Sequence, residues 1–423
     1  MKRPLLLRHL ISAIAVSGGM SPALREMARI LRREGARALV RKIRRLLASP
    51  SPEEPCVAGV EAAPPAARRT VRLIAFYLPQ YHPIPENDQW WGTGFTEWTN
   101  VAKARPNFSG HYQPHLPAEL GYYDLRDPGV RRRQAELAEA HGVHGFCYYY
   151  YWFNGKRLLN RPLDEMLASG EPAFPFCVCW ANENWTRTWD GREHEVLIAQ
   201  EYSAEDDDRF ICSLLPLLAD KRYIRVNGRP LLIVYKPALL PDARGTTARW
   251  REVCRRSGIG EIYLACVQNL NASAPVVDPR SLGFDAAVEF PPLGAGVPSA
   301  TQPDGVVAEF KGRFYDYWRT ALGFMSVAAP GFPYFRGVMP SWDNTARRQH
   351  AGHIYCGSDA GKYEQWLRYA IDWTVSHHDN GERLVFVNAW NEWGEGNHLE
   401  PDQKDGTAYL EATRRAIRGS DAA

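Results

Sequence analysis

Eight short apolar runs between residues 71 and 390, most of them separated by segments of helical periodicity, constrain the fold most strongly. Apolar runs of this length are typical of parallel strands that are buried on both faces. Strands that alternate with helices indicate a parallel sheet, and eight of them favour a closed (β/α)8 barrel with long βα loops over an open doubly wound sheet. The candidate strands are residues 71–78, 143–151, 174–181, 230–235, 261–268, 284–290, 335–340 and 383–390.

Two helices are clearly marked in the sequence between these runs. One is predicted for residues 128–141, with Asp127 as its N-cap and Gly142 at its end, and another for about residues 360–377. No GxGxxG follows the first strand and no GxxxxGK[ST] occurs anywhere, so the usual signatures of nucleotide-binding folds are missing. We therefore expect no nucleotide cofactor, and indeed no cofactor.

The first 70 residues differ in charge from the rest of the chain. They hold 14 Lys and Arg against 5 Glu, a net charge of +9, whereas the whole chain carries +3. Residues 71–423 are therefore mildly acidic, at −6. Such a body gives no support to nucleic-acid binding, and we expect no nucleic-acid partner.

The same charge pattern divides the chain into three predicted parts. Residues 1–47 predict a basic amphipathic helical extension, residues 48–70 a linker rich in Pro and Ala, and residues 71–423 a catalytic barrel. A basic amphipathic helix could lie on anionic lipid, but a solvated arm or a contact with a partner protein fits the pattern equally well.

The cellular location follows from weaker signals. Arg8 and His9 interrupt the apolar run at the N-terminus, which disfavours a signal peptide, and no run of 18 apolar residues occurs. Eight cysteines without any CxxC motif favour a reducing compartment. We expect a cytoplasmic enzyme, peripheral at the inner membrane if the extension binds lipid.

The end of the last predicted strand carries the strongest chemical signal, AWNEWGEGNHLEPD at residues 389–402. Glu392 lies between Trp390 and Trp393 where the strand leaves the core, Glu395 follows Trp393, and Glu400 comes shortly after. Paired carboxyl groups can divide the work on a glycosidic bond, because one protonates the departing oxygen while the other acts as base or nucleophile. Glu392 and Glu395 are the predicted catalytic pair.

Active sites in (β/α)8 barrels lie at the C-terminal ends of the strands, where this chain concentrates polar and aromatic residues. Aromatic rings in polar company are suited to stacking on sugars, although they could instead close the barrel mouth. Tyr148 to Tyr151 alternate in direction, so at most half of them can face a ligand. The candidates for substrate contacts are Tyr77, Gln80, His82, Trp91, Glu97, Trp98, Tyr150, Trp152, Trp180, Asn182, Glu183, Trp185, Trp342, Asp343, Asn391 and Trp393.

Four long motifs resemble those of a known family. They are YLPQYHPIPENDQWWGTGFTEWTNV, GHYQPHLPAELGYYDLRDP, HGFCYYYYWFNGKRLLNRPL and PFCVCWANENWTRTWDG. Together they resemble the WbsX-like glycosyltransferases of bacterial surface-polysaccharide gene clusters. NEWGEG resembles the NEWxEG strand-end motif of glycoside hydrolase family 99, the endo-α-mannosidase and endo-α-mannanase group. The resemblance covers roughly residues 71–415 and implies the barrel fold.

The hydrolase resemblance also implies roles for the two glutamates. Glu392 would deprotonate the sugar 2-hydroxyl, so that the 2-oxygen attacks the anomeric carbon, and Glu395 would be the general acid and base. Gly394 stands where that family commonly has His. Three functions remain open at this stage: a hydrolase-like enzyme acting on an O-antigen, lipopolysaccharide or capsule glycan, a glycosyltransferase in its biosynthesis, and a non-catalytic glycan-binding barrel.

Other residues compete with this assignment or could suggest a metal. Glu183, in WANENW, is the rival catalytic carboxylate, and otherwise a sugar ligand or a partner for Arg187. The acidic run 206–208 follows Ser203 and favours a helix N-terminus over a metal site. His111 and His115 have helical zinc spacing, but Pro114 argues against a helix there. We therefore assign no metal ligand.

Overall fold

A computed structural model describes residues 60–187, 192–272, 275–299 and 301–418, and these form a closed barrel of eight parallel strands. All eight predicted strands are confirmed. The strands are β1 Arg72–Tyr77, β2 Val143–Phe153, β3 Phe176–Trp180, β4 Arg229–Val234, β5 Tyr263–Val267, β6 Ala286–Val288, β7 Tyr334–Val338 and β8 Leu384–Val387.

Each strand pairs in parallel with the next along the chain, and β8 pairs with β1 to close the sheet. The predicted alternative, an open doubly wound sheet, would leave two edge strands unpaired. In the register of the closing pair, Arg72 lies beside Leu384 and Ala75 beside Val387. Closure brings residues 78–82, which follow β1, next to residues 388–395, which follow β8, at the C-terminal end of the barrel.

The helices lie mostly between the strands, as alternation predicts. Asp127 caps its helix by accepting a hydrogen bond from Gly129 N, and Ala360–His377 is a helix with the predicted bounds. The α-helices among the described residues are α1 Pro65–Arg68, α2 Pro85–Trp91, α3 Glu97–Lys103, α4 Pro128–Ala140, α5 Arg161–Ser169, α6 Ala204–Ala219, α7 Ala243–Arg256, α8 Tyr317–Met325, α9 Thr345–Arg348, α10 Ala360–His377 and α11 Ala408–Arg418.

Aromatic side chains fill the barrel and also the layer between barrel and helices. Phe76 packs inside, with ring centroids 5.8 Å from Tyr149 and 4.8 Å from Phe290. Successive residues of a strand point to opposite faces, so Tyr148 and Tyr150 lie on the outer face of β2. The Tyr150 hydroxyl accordingly meets Ser213 Oγ of α6 at 2.8 Å.

The described part of the predicted linker, residues 60–70, packs against the barrel. Arg68 forms a two-pronged ion pair with Asp372 of α10 at 2.7 and 2.9 Å, and Ala63 N donates to the same carboxylate. Composition rich in Pro and Ala predicted a spacer, but the buried Asp372 recruits Arg68 as its counter-ion. The basic extension, residues 1–47, lies outside the described residues. No described helix combines the length and apolarity needed to cross a bilayer.

This packing predicts different stabilities for two truncated chains. A chain beginning at Val71 deprives Asp372 of Arg68, whereas a chain beginning at Pro55, the first residue of the second compact unit, keeps the pair. Removing one partner of a buried ion pair costs about 3–5 kcal/mol. We expect urea denaturation to give the Val71 chain a free energy of unfolding that is lower than that of the Pro55 chain by a few kcal/mol.

The substitution Arg68→Met in the chain that begins at Pro55 is the matched control, since it removes the charge while retaining the segment. It should reproduce most of the difference. Equal free energies of unfolding for all three chains would show that the Arg68–Asp372 pair contributes nothing to the barrel.

Candidate active site

A tight hairpin after β8 carries Glu392 and Glu395. Asn391–Glu392 pairs antiparallel with Asn397–His398, and a 3-10 turn, Trp393–Glu395, connects the two arms. The hairpin is fixed to the neighbouring barrel ends, because Asn391 Oδ1 accepts from Leu78 N at 2.7 Å. Asp343 N donates to Glu395 O at 2.7 Å. Both glutamates therefore stand on a rigid part of the barrel mouth.

Arg347 joins three carboxylates at this mouth. Its Nη2 donates to Glu392 Oε2, its Nη1 to Glu395 Oε1 and its Nε to Glu97 Oε1, each at 2.7 Å. Glu97 begins α3 and is fully buried, whereas the other two glutamates border a cavity. The planar guanidinium of Arg347 presents its N–H donors in a rigid arrangement, so it fixes the relative positions of the two predicted catalytic carboxyl groups.

Three carboxyl groups around one cation favour retention of a proton. The pKa of Glu392 is raised to about 8, mainly by burial; Arg347 opposes this rise, and the neighbouring Glu395 and Glu97 add to it. Burial likewise raises the pKa of Glu395. Glu392 and Glu395 titrate as an interacting pair, so a shared proton belongs to the pair rather than to one residue. Such a site can offer an acid and a base at neutral pH.

The two glutamates form part of the lining of a cavity of about 340 Å³ at the C-terminal end of the barrel. Tyr149, Tyr151 and Tyr235 rise from the strands, and Trp91, Trp185 and Trp342 border the mouth. Cavities of this size, with apolar walls and few directed polar groups, are typical binding sites for small molecules or single units of a polymer.

Comparison with known proteins places the chain in a family. The family model described as "Glycosyltransferase WbsX" matches residues 73–413. The chain belongs to the WbsX glycosyltransferase family. The uncharacterized WxcX proteins of two strains of Xanthomonas campestris pv. campestris, B100 and ATCC 33913, are 49% identical over 346 residues. The match covers 82% of this chain and 49% of each relative, so this WbsX family member spans about half their length.

Solved structures with the same fold are glycoside hydrolases and a relative named for them. The GH99 endo-alpha-mannosidase of Bacteroides thetaiotaomicron has 15% identity and a TM-score of 0.51, with 82% of this chain and 96% of that chain covered. A structure described as "Glycoside hydrolase-like protein" has 13% identity and a TM-score of 0.53, covering 88% and 97%. These likenesses confirm the predicted barrel. Family and fold together place the chain among carbohydrate-active enzyme families.

The geometry explains why Gly394 departs from the family 99 motif. A Cβ atom at this position would overlap Glu97 Oε1 and lie 2.8 Å from Arg347 Nε. The space that a side chain at position 394 would need is therefore occupied by the Glu97–Arg347 ion pair. In this WbsX family member Arg347 and Glu97 occupy the position beside the two catalytic candidates where family 99 commonly has a histidine side chain.

The structure brings seven of the predicted site residues to the cavity. Glu183 is the most exposed of its carboxylates, and its Oε1 lies 3.5 Å from Lys236 Nζ rather than within the Arg347 cluster. Glu97 is adjacent, behind Arg347. The seven predicted residues that line the cavity are Gln80, Trp91, Glu183, Trp185, Trp342, Glu392 and Glu395.

Four predicted contacts face the helices instead, which corrects the expectation that they reach a ligand. The Tyr77 hydroxyl donates to Gln134 of α4, and Trp152 Nε1 donates to Asp206 of α6. Trp180 lies beside Tyr150 in the register of β2 and β3, and both pack on α6. Because strand side chains alternate, the inward residues of β2 are Tyr149 and Tyr151. The sequence-based prediction therefore selected the outward-facing residues of β2 instead of the inward-facing ones.

Two predicted asparagines act as clamps between strand ends. Asn182 accepts from Lys236 N at 2.7 Å and donates to Lys236 O at 2.9 Å, linking β3 to β4. Asn391 makes the same two-way contact with Leu78, linking β8 to β1. Because the side-chain amides of both asparagines are hydrogen-bonded to backbone groups, these residues stabilise the barrel mouth and do not line the cavity.

Three further predicted residues are absent from the lining of this cavity and make contacts elsewhere. Trp98 Nε1 donates to Tyr123 O, His82 Nδ1 donates to Pro79 O, and Asp343 meets His111 Nε2 at 2.6 Å. Burial lowers the pKa of His82 to about 4, so this ring is neutral near pH 7.

Trp393 and the third motif glutamate belong to the support under the hairpin. Glu400 accepts hydrogen bonds from the indoles of Trp393 and Trp390, from Gln134 and from Tyr123, at 2.6–2.9 Å. Burial nevertheless raises its pKa to about 7. Glu400 therefore fixes the floor of the site, which explains its place in the motif without a catalytic role.

Sequence reasoning missed Arg347 and three tyrosines. Arg347 lies in α9, in the loop that follows β7, close to the predicted Trp342 and Asp343. The available signal was charge balance, because three carboxylates at one barrel mouth need a counter-ion. Tyr149, Tyr151 and Tyr235 would have been predicted if the inward-facing positions of their strands had been known.

Proposed function

We propose that this WbsX family member acts on glycosidic bonds of a bacterial surface polysaccharide, of the O-antigen, lipopolysaccharide or capsule type, by glycoside-hydrolase-like chemistry. The observation that carries the proposal is the pairing of Glu392 and Glu395 on one guanidinium at the floor of an aromatic-walled cavity. A protonated carboxyl group can deliver its proton to the departing oxygen while the second carboxyl acts as base.

The walls of the cavity suit a neutral sugar. Tyr149, Tyr151 and the indoles at the rim offer flat apolar faces, and Gln80 and Asn344 offer hydrogen-bonding groups beside them. Stacking on rings with a few directed polar contacts is the usual way a protein binds a pyranose unit. The proposed division of labour follows the hydrolase resemblance: Glu392 deprotonates the 2-hydroxyl and Glu395 serves as acid and base.

The second candidate is a glycosyltransferase, which the family description favours. Such an enzyme must bind the diphosphate of a sugar nucleotide through cations, helix N-termini or a carboxylate-bound metal. Arg347 already serves three carboxylates, and Lys236 lies against Glu183. A diphosphate in the cavity would face Glu183, Glu392 and Glu395, so we favour a neutral glycan.

Thermal denaturation with ligands distinguishes the two candidates, because a ligand that binds only the folded state raises Tm. We expect no rise with sugar nucleotides, with or without Mg²⁺ or Mn²⁺. We expect a rise with oligosaccharides of the surface polysaccharide made by the bacterium that encodes the chain, and slow cleavage of them. A metal-dependent rise with one sugar nucleotide, and none with any glycan, would establish the transferase instead.

Two variants test whether the glycan occupies this cavity. Trp91→Ala removes an indole from the cavity lining and should weaken the rise in Tm, whereas Tyr150→Phe removes only a hydroxyl of β2 that contacts Ser213 of α6, outside the cavity. The second variant should bind as the wild type does. Equal loss in both would place the glycan elsewhere.

A further inference from the structure

A second cavity, of about 270 Å³, lies beside the candidate active site and shares Trp342 with it. Three of its lining residues, His115, His398 and Asp402, each offer a metal-ligand atom, and these atoms lie within 4.8 Å of one another. His115 Nδ1 is 2.9 Å from His398 Nε2, and that nitrogen is 4.0 Å from Asp402 Oδ2. None of the three belongs to the Arg347 cluster.

The orientation of His398 is fixed by its backbone contact. Its Nδ1 lies 2.9 Å from Glu400 O, a carbonyl that can only accept, so Nδ1 carries the hydrogen. Nε2 then presents a lone pair to the other two residues. A ring whose far N–H donates to a carbonyl is the usual arrangement of a metal-binding histidine, because that contact fixes tautomer and orientation.

Asp402 is oriented in a comparable way. Its Oδ1 accepts hydrogen bonds from Lys404 N at 3.1 Å and Asp405 N at 2.6 Å, which leaves Oδ2 on the side of His398. The nearby ammonium of Lys404 lies 3.5 Å from Asp405 Oδ2 and 5.1 Å from the centre of the Tyr112 ring. Asp405 therefore compensates its charge.

We propose that His115, His398 and Asp402 form a binding site for a divalent transition-metal ion, and that the ion is Zn²⁺. Two imidazoles and one carboxylate are a ligand set that Zn²⁺ takes, with metal–ligand distances of about 2.0–2.2 Å. The ion replaces the hydrogen that His115 and His398 share, and His115 then carries its hydrogen on Nε2. The cavity leaves the fourth position open to water.

The position of the site suggests what the ion does. The His398 ring stacks on Trp393 with centroids 3.7 Å apart, and Trp393 lies between the two predicted catalytic glutamates. His115 belongs to the long loop between α3 and α4. An ion bound here ties that loop to the hairpin, so it stabilises the barrel mouth without touching the reacting bond.

The sequence offers a different histidine pair, His111 with His115, but Pro114 argues against it as a metal site. His111, four residues before His115, does not join the site, because its Nε2 contacts Asp343 at 2.6 Å and its Nδ1 accepts from Asn107 N. The partner of His115 comes from the far end of the chain, 283 residues away. Only the closed barrel brings His115 and His398 together.

The test uses the full chain without a histidine tag. We expect elemental analysis to find about one Zn²⁺ per chain in protein purified without chelators. Removing the ion with a chelator should lower Tm by roughly 5 °C, and stoichiometric ZnCl₂ should restore it. Absence of a change in Tm when ZnCl₂ is added to chelator-treated protein would overturn the proposal.

Three variants locate the ion. Asp402→Asn keeps the Oδ1 acceptor for Lys404 N and Asp405 N, and His115→Gln keeps a polar side chain, so both should fold and lose more than about 100-fold in Zn²⁺ affinity. His350→Gln is the matched control, because His350 is exposed and bonds to Asn107. A Zn²⁺-dependent rise in Tm that persists in both cluster variants would also overturn the assignment.

Discussion

Glu395→Gln and Glu392→Gln should each lower kcat by at least about 10³-fold while the protein stays folded. Each change removes a proton-transferring group and keeps its shape, and a positioned acid or base contributes about 10²–10⁴-fold on its own. The folded state should not suffer, because each substitution removes one of three carboxylates crowded around Arg347. Tm should remain unchanged or rise.

The measurement is single-turnover cleavage of the oligosaccharide that raises Tm, with wild-type enzyme and each variant side by side. Glu183→Gln is the matched control, since Glu183 lines the same cavity but pairs with Lys236. It should retain activity within about tenfold. Wild-type rates in both Glu392→Gln and Glu395→Gln would exclude the pair, and an inactive Glu183→Gln with both others active would move the catalytic role to Glu183.

Much of the fold could be predicted because its signal is local. Buried parallel strands need continuous apolar runs, and each such run, from residues 71–78 to 383–390, is visible without knowledge of its partners. Closure of the barrel followed from their number and from the helices between them. The packing of residues 60–70 was missed because it depends on Asp372, more than 300 positions away.

The candidate site was predictable only in part, and the misses share a physical cause. A strand of consecutive tyrosines such as residues 148–151 gives no apolar alternation, so the inner face cannot be read from the sequence. Asn182 and Asn391 were chosen as ligands because they follow strands, yet strand ends also need amides to bind the last backbone groups. At strand ends, the same polar residue types therefore serve both to satisfy buried backbone groups and to bind ligands.

Arg347 could not be found from its own neighbourhood, because nothing in TARR marks one arginine over the next. Its role arises from three carboxylates that reach it from α3 and from the hairpin after β8. The position of an organising cation depends on the tertiary structure as a whole, whereas catalytic carboxylates can be recognised in a short motif.

Arg347→Met should therefore destabilise the protein more than any other single change at the site. Methionine retains the length of the side chain but leaves the buried Glu97 and Glu392 and the partly buried Glu395 without a cation. Removing one partner of a buried ion pair costs about 3–5 kcal/mol, and here one residue serves three partners. Urea denaturation at pH 8 measures the loss. Adding Glu97→Gln to Arg347→Met should recover part of it, because one buried charge is then gone.

The destabilisation should depend on pH in a defined direction. Folded-state pKa values of Glu392 and Glu395 are already raised above their ordinary range by burial, and loss of Arg347 removes the group that opposes the rise. Above about pH 4.5 the folded wild type already binds more protons than its unfolded state, so its stability falls with pH until the raised folded-state pKa values are passed, and that of Glu392 is about 8. In Arg347→Met these pKa values lie higher still, so the fall in stability continues to higher pH. The difference between wild type and Arg347→Met should widen from pH 5 to pH 9, most steeply near and above pH 8. A difference that is constant across this range, or that narrows, would show that Arg347 stabilises the barrel by packing rather than by compensating the three carboxylates.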